Sequence, residues 1–106
     1  MKTFGSLIAS ARKELGISQK DLAAMIRKED GETISPQYLN DIEHDRRNPP
    51  SEFIIEQLAQ HLKRTTEYLV TAAGILPSQM RQDLTGATPD QIARAYRAFR
   101  DSLKEK

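Results

Sequence analysis

The sequence predicts an all-α protein in which five short helices form a bundle and a further helix follows at the C-terminal end. Three observations carry this reading. Apolar residues recur at helical spacing in successive stretches, most of those stretches open on a Ser or Thr suited to an N-cap, and Gly16 and Gly74 follow two of them as stops. The first helix is read over residues 3 to 15, with Phe4, Leu7, Ile8, Ala11 and Leu15 on one side. Ser18 caps the second, Asp21 completes an approximate capping box, and Leu22, Ala23 and Ile26 face inward. That helix is expected to run on to about Lys28 before a loop centred on Gly31. From Ser51, the apolar residues Phe53, Ile54, Ile55, Leu58, Ala59 and Leu62 define a fourth helix, with Glu52 suited to its first turn. Thr65 or Thr66 caps a fifth, with Tyr68, Leu69 and Ala72 inward.

The third helix, read near residues 36 to 45, is the informative one. Ser35 stands at its N-cap and Pro36 at its first position, so local chemistry sets its start. Tyr38, Leu39 and Ile42 make only a narrow apolar stripe, which leaves Pro36, Gln37, Asn40, Asp41 and His44 free. Amide side chains near a helix N-terminus suit base edges, since Gln and Asn each offer a donor and an acceptor. Arg46, Arg47 and Asn48 follow, then Pro49 and Pro50, and that exit cluster suits phosphate oxygens.

Composition bounds the alternatives. A chain of 106 residues holds one domain with room for an appendage. It contains no Cys, so it has neither a disulfide framework nor a thiolate metal site, and His44 and His61 lie on different predicted helices. No metal or other cofactor is expected. No Ser or Thr has a His and an acid in a nucleophile arrangement, no Gly-rich phosphate loop is present, and no enzymatic activity is expected. Met1 to Gly5 are not followed by a long apolar run, so neither a signal peptide nor a membrane span is expected, and the chain is read as cytoplasmic. The net charge is only +1, so DNA affinity would rest on local placement of charge.

The Ser18-Gln19-x-x-Leu22-Ala23 opening, the Ile42-Glu43 pair and the Arg46-Arg47-Asn48-Pro49 exit together resemble the XRE family, the helix-turn-helix family of phage Cro and lambda-type repressors. The resemblance covers roughly residues 4 to 74. It implies a lambda-repressor-like five-helix DNA-binding domain over residues 1 to 74, with residues 75 to 106 as a C-terminal helical extension. It also implies a phosphate contact at Gln19, base reading at Gln37, and a Glu43 that holds the following Arg-rich loop. One departure is clear: where the family pattern has a single Gly, seven residues from Arg27 to Thr33 separate Ile26 from Ile34. The insertion reads either as a solvated excursion or as a segment that brings Arg27 and Lys28 to the DNA backbone, with Glu29, Asp30 and Glu32 opposing the second.

The expected base readers are therefore Pro36, Gln37, Asn40 and Asp41, and the expected phosphate contacts are Gln19, Lys20, Tyr38, Arg46, Arg47 and Asn48. Asp41 has two readings: it accepts from the exocyclic amine of cytosine, or it pairs with Arg12, Arg46 or another cation of the protein itself. After a short helix from Ser78 to about Leu84, Thr88-Pro89-Asp90 starts the last helix, whose residues Ile92, Tyr96, Phe99 and Leu103 share one face. That stripe buries either on its own bundle or against a second copy, and proteins of this class commonly bind two half-sites as dimers. The expected function is a transcriptional regulator, read as a repressor, that binds double-stranded DNA as a homodimer. The alternative is a protein-interaction module of the same fold, in which the terminal helix grips a partner protein.

Overall fold

Most helix starts in this chain are set by hydroxyl side chains that accept from first-turn N–H groups left without an intrahelical partner. The computed structural model describes residues 3 to 105. In it, α1 (Phe4–Glu14) follows Thr3, α2 (Gln19–Met25) follows Ser18, α3 (Pro36–Glu43) follows Ser35, α4 (Glu52–Leu62) follows Ser51, and α5 (Thr66–Ala72) follows Thr65. In each case the cap hydroxyl accepts from the N–H three residues on. Two more helices follow, α6 (Ser78–Leu84) and α7 (Pro89–Lys104), the latter opened by a reciprocal capping box between Thr88 and Gln91.

The chain divides into two compact units, with the break between Ile75 and Leu76. In the first, α1 packs on α3 and α4, α2 packs on α3, and α4 packs on α5. Their shared core contains Ile8, Leu22, Ile26, Leu39, Ile42, Ile55, Leu58, Leu62, Leu69 and Val70, all fully buried. The second unit consists of α6 and α7, and none of its helical side chains is buried.

Several expectations are corrected. Leu15 is exposed because it is the C-cap of α1. Phe53 and Tyr68, both expected inward, are also exposed: the buried stripe of α4 begins at Ile54, and in α5 Val70 takes the inward position beside Leu69. The second helix does not reach Lys28. It stops at Met25, and Ile26 is already extended. The inserted segment folds instead as a small antiparallel hairpin. The Ile34 N–H donates to the Ile26 carbonyl at 3.0 Å, the Lys28 N–H donates to the Glu32 carbonyl at 2.8 Å, and Gly31 makes the turn at φ 90°. The outer edge of Arg27 is closed by one side chain from α4, since Gln57 accepts from its N–H and donates to its carbonyl, both at 2.8 Å. Every backbone group of Arg27 that a helix would have used therefore has a partner, and the hairpin drops both Ile26 and Ile34 into the core.

The N-terminus of α1 meets the C-terminus of α3 at close range. Asp45, in the left-handed region at φ 58°, accepts from the Thr3 hydroxyl at 2.6 Å and from the Gly5 N–H at 3.1 Å. A Cβ at position 5 would fall inside contact distance of the Ile42 carbonyl oxygen, 2.6 Å from Asp45 Oδ1 and 2.9 Å from the Glu43 carbonyl oxygen. Two of these obstacles are backbone, so they yield only if the helices separate. Gly5→Ala is expected to cost about 1–3 kcal/mol of stability by overpacking, read as a lowered urea midpoint against Ser6→Ala as a control.

Candidate nucleic-acid interface

Helix α3 buries Leu39, Ile42 and Glu43 and turns its other side outward. Residues 39, 42 and 43 stand three and four apart, so they share one face. Pro36, Gln37 and His44 are exposed, and Asn40 and Asp41 are half-buried. The helix ends at Glu43, short of the expected 36 to 45, because His44 and Asp45 turn the chain back toward α1.

Glu43 is corrected in its role. It does not hold the Arg-rich loop; it is carried into the bundle by the same face as Leu39, and its side chain is 2% exposed. A carboxylate so desolvated requires full pairing. Arg12 supplies it from α1, with Nε 2.6 Å from Oε2 and Nη2 3.0 Å from Oε1. Arg12 also donates through Nη1 to the Ile17 carbonyl at 2.8 Å, which fixes the connection into α2. Hydrogen bonding to Glu43 raises the Arg12 pKa above its ordinary value, against the effect of burial. Gln19, at the start of α2, donates from Nε2 to Glu43 Oε1 at 2.9 Å and to Asn40 Oδ1 at 3.1 Å. Arg12, Glu43, Gln19 and Asn40 thus form one continuous chain from the core to the outer face of α3.

The loop after α3 is held by Asp41. Its Oδ1 accepts from Gln37 Nε2 and from Arg46 Nε, each at 3.0 Å, and its Oδ2 lies 3.7 Å from Arg47 Nε. Of the two readings of Asp41, the structure contains the pairing within the protein, with Arg46 and Arg47 rather than Arg12. Hydrogen bonding from Arg46, with smaller help from Gln37 and Arg47, lowers its pKa below the ordinary carboxylate value. Arg47 also lies over the ring of Tyr38, 5.1 Å from its centroid, and Tyr38 is half-buried against the core. Tyr38, Asp45, Arg46, Arg47 and Asn48 line an open surface groove of about 410 Å³. Lys20 stands exposed in the first turn of α2. In the hairpin, Arg27 Nη1 donates to the Gly31 carbonyl at 2.7 Å, and Lys28 lies 3.9 Å from Asp30.

Sequence reasoning missed three working residues. It offers Arg12 to Asp41 rather than to Glu43, and gives neither Asp45 nor Gln57 a role. Their partners lie 30 to 42 residues away, beyond any local signal.

A polar outer face on a short helix, a preceding helix packed on it and a basic exit loop together make a helix-turn-helix unit. The helix-turn-helix family model matches residues 8–69, and the chain belongs to that family, in its XRE type, a class of DNA-binding regulators. A solved structure of a SinR protein–SinI protein complex shares the fold with a TM-score of 0.54, at 24% identity, over 94% of this chain and 99% of that one. At that identity the likeness bears on the fold alone, which is all-helical and repressor-like as expected. No curated protein matches. Among the described residues no helix is long and apolar enough to cross a membrane.

Removal of one partner from a buried ion pair leaves the other charge desolvated, at a cost of about 3–5 kcal/mol. Arg12→Ala is therefore expected to destabilise the first unit by about that amount, measured by urea unfolding, whereas truncation of the exposed Lys20 stays within about 0.5 kcal/mol.

Proposed function

We propose that this chain is a sequence-specific transcriptional regulator that sets α3 into the major groove of double-stranded DNA as a homodimer on a roughly two-fold symmetric site. In this reading it works in the cytoplasm and represses by occluding a promoter. Gln37 and Asn40 read base edges, and Pro36 offers apolar contact to a thymine methyl. Asp41 stands among them and aims Gln37 and the exit arginines. Arg46, Arg47 and Asn48, with the main-chain N–H of Gln19, Lys20 and the Tyr38 hydroxyl, meet phosphates on either side. The observation that carries the reading is the division of α3: its inward face is anchored by apolar residues and Glu43, while its outer face is polar, exposed and flanked by Arg46 and Arg47.

Selection from a randomised double-stranded DNA pool at near-physiological salt tests it. A two-fold symmetric motif is expected, and Gln37→Ala should weaken binding to that motif by about 1–3 kcal/mol while relaxing one base position in each half-site. Unchanged affinity and base preference would remove α3 from the groove.

A protein partner is the second reading, and α7 is what favours it. Ile92, Tyr96, Phe99 and Leu103 are all exposed, from 44% to 70%, along one face of a 16-residue helix. The solved structure that shares the fold holds two different proteins, which supports a place for such a partner. The double substitution Tyr96→Ala, Phe99→Ala separates the two uses. As a dimer element, α7 predicts loss of the dimer in sedimentation and at least a tenfold loss of DNA affinity; as a partner-binding helix, it predicts that DNA binding survives.

A further inference from the structure

The groove-facing amides of α3 are wired to groups that accept only one hydrogen-bond polarity. Arginine has donors alone and an ionised carboxylate has acceptors alone. Glu43, doubly bound to Arg12, therefore dictates that Gln19 turns its Nε2 inward, at 2.9 Å from Oε1. The same Nε2 lies 3.1 Å from Asn40, so the Asn40 atom facing it is Oδ1 and the amino group faces away. A second, independent relay acts on Gln37. Asp41, held by Arg46, accepts from Gln37 Nε2 at 3.0 Å, which leaves Oε1 turned outward.

We infer that these relays write part of the operator: Asn40 presents an amino group and selects guanine, while Gln37 presents a carbonyl oxygen and selects a base with an exocyclic amine, adenine or cytosine. The inference rests on the major-groove reading above and deepens it. Guanine is the base whose major-groove edge carries two acceptors, N7 and O6. Adenine sets its own amine against the Asn40 amine, and thymine offers one acceptor beside a methyl group. An Asn free to turn would instead suit adenine, donating to N7 and accepting from the amine. Gln19 is thus a positioning residue that touches no base in this role, yet sets the base that Asn40 takes.

The test is the same DNA selection run in parallel on the full chain, on Asn40→Asp and on Gln19→Ala, with thermal melting of each as a folding control. Asn40→Asp keeps an oxygen on Gln19 and replaces the outward amine by a second oxygen, so the position that answers to it should change from guanine to cytosine, with a discrimination of about tenfold or more. Gln19→Ala releases the Asn40 amide, and adenine should rise at that same position while the rest of the motif is kept. Should Asn40→Asp fail to fold, the Gln19→Ala motif decides alone. Adenine at the Asn40 position in the unaltered chain, or a guanine preference untouched by either substitution, overturns the inference and leaves the DNA reading standing. Retention of no motif by the unaltered chain overturns both.

Discussion

The arrangement of the first unit depends on the buried ion pair between Arg12 and Glu43. Apolar packing alone would hold α1, α2 and α3 together, but contacts between branched aliphatic side chains tolerate sliding and small rotations. A carboxylate 2% exposed tolerates neither, because losing its guanidinium by even a short displacement leaves a desolvated charge. The pair therefore acts as a registration device, fixing where along α1 the helix α3 crosses. Arg12 extends the fix to the α1–α2 connection through the Ile17 carbonyl, and Gln19 extends it to the surface. An apolar pair of equal volume would fill the space without passing any directional information outward.

Charge around the outer face of α3 is arranged rather than abundant. With a net charge of +1, the chain has no general attraction for a polyanion. What it has is a fixed pair of arginines behind α3. Asp41 draws Arg46 and Arg47 toward the helix, and the stacking of Arg47 on Tyr38 adds a second constraint. The carboxylate lowers the local positive potential, yet it also reduces the conformational freedom of two long side chains.

How much of this was legible in the sequence follows from the range of the interactions. Helix starts at Ser18, Ser35, Ser51, Thr65 and Thr88 were readable because a cap acts on a residue three positions away. The core was readable where periodicity was long, and misread at Phe53 and Tyr68, aromatic residues one or two positions off the buried stripe. Glu43 was misassigned because its i+3 and i+4 neighbours, the arginines of the exit loop, looked nearer than an Arg12 that only the folded chain brings close. The hairpin was hidden for the same reason: nothing between Arg27 and Thr33 announces a strand pair, and the side chain that completes it comes from α4. The face of α3 was visible as a set of residues, but the direction of each amide was not, since that is fixed by Gln19 and by loop arginines acting through Asp41.

The way the hairpin is fastened also bears on how this region tolerates change. Its seam is closed by main-chain bonds and by Gln57 gripping the main chain of Arg27, and only Ile26 and Ile34 at its base enter the core. The exposed tip from Glu29 to Glu32 thus contributes no side chain to the interior. Apart from Gly31, whose φ of 90° disfavours any side chain, its residues are open to replacement or attachment of a label without disturbing the fold, a few residues in sequence from the start of α3. A chain built this way keeps its most replaceable segment beside its most constrained surface, so sequence change in one need not reach the other.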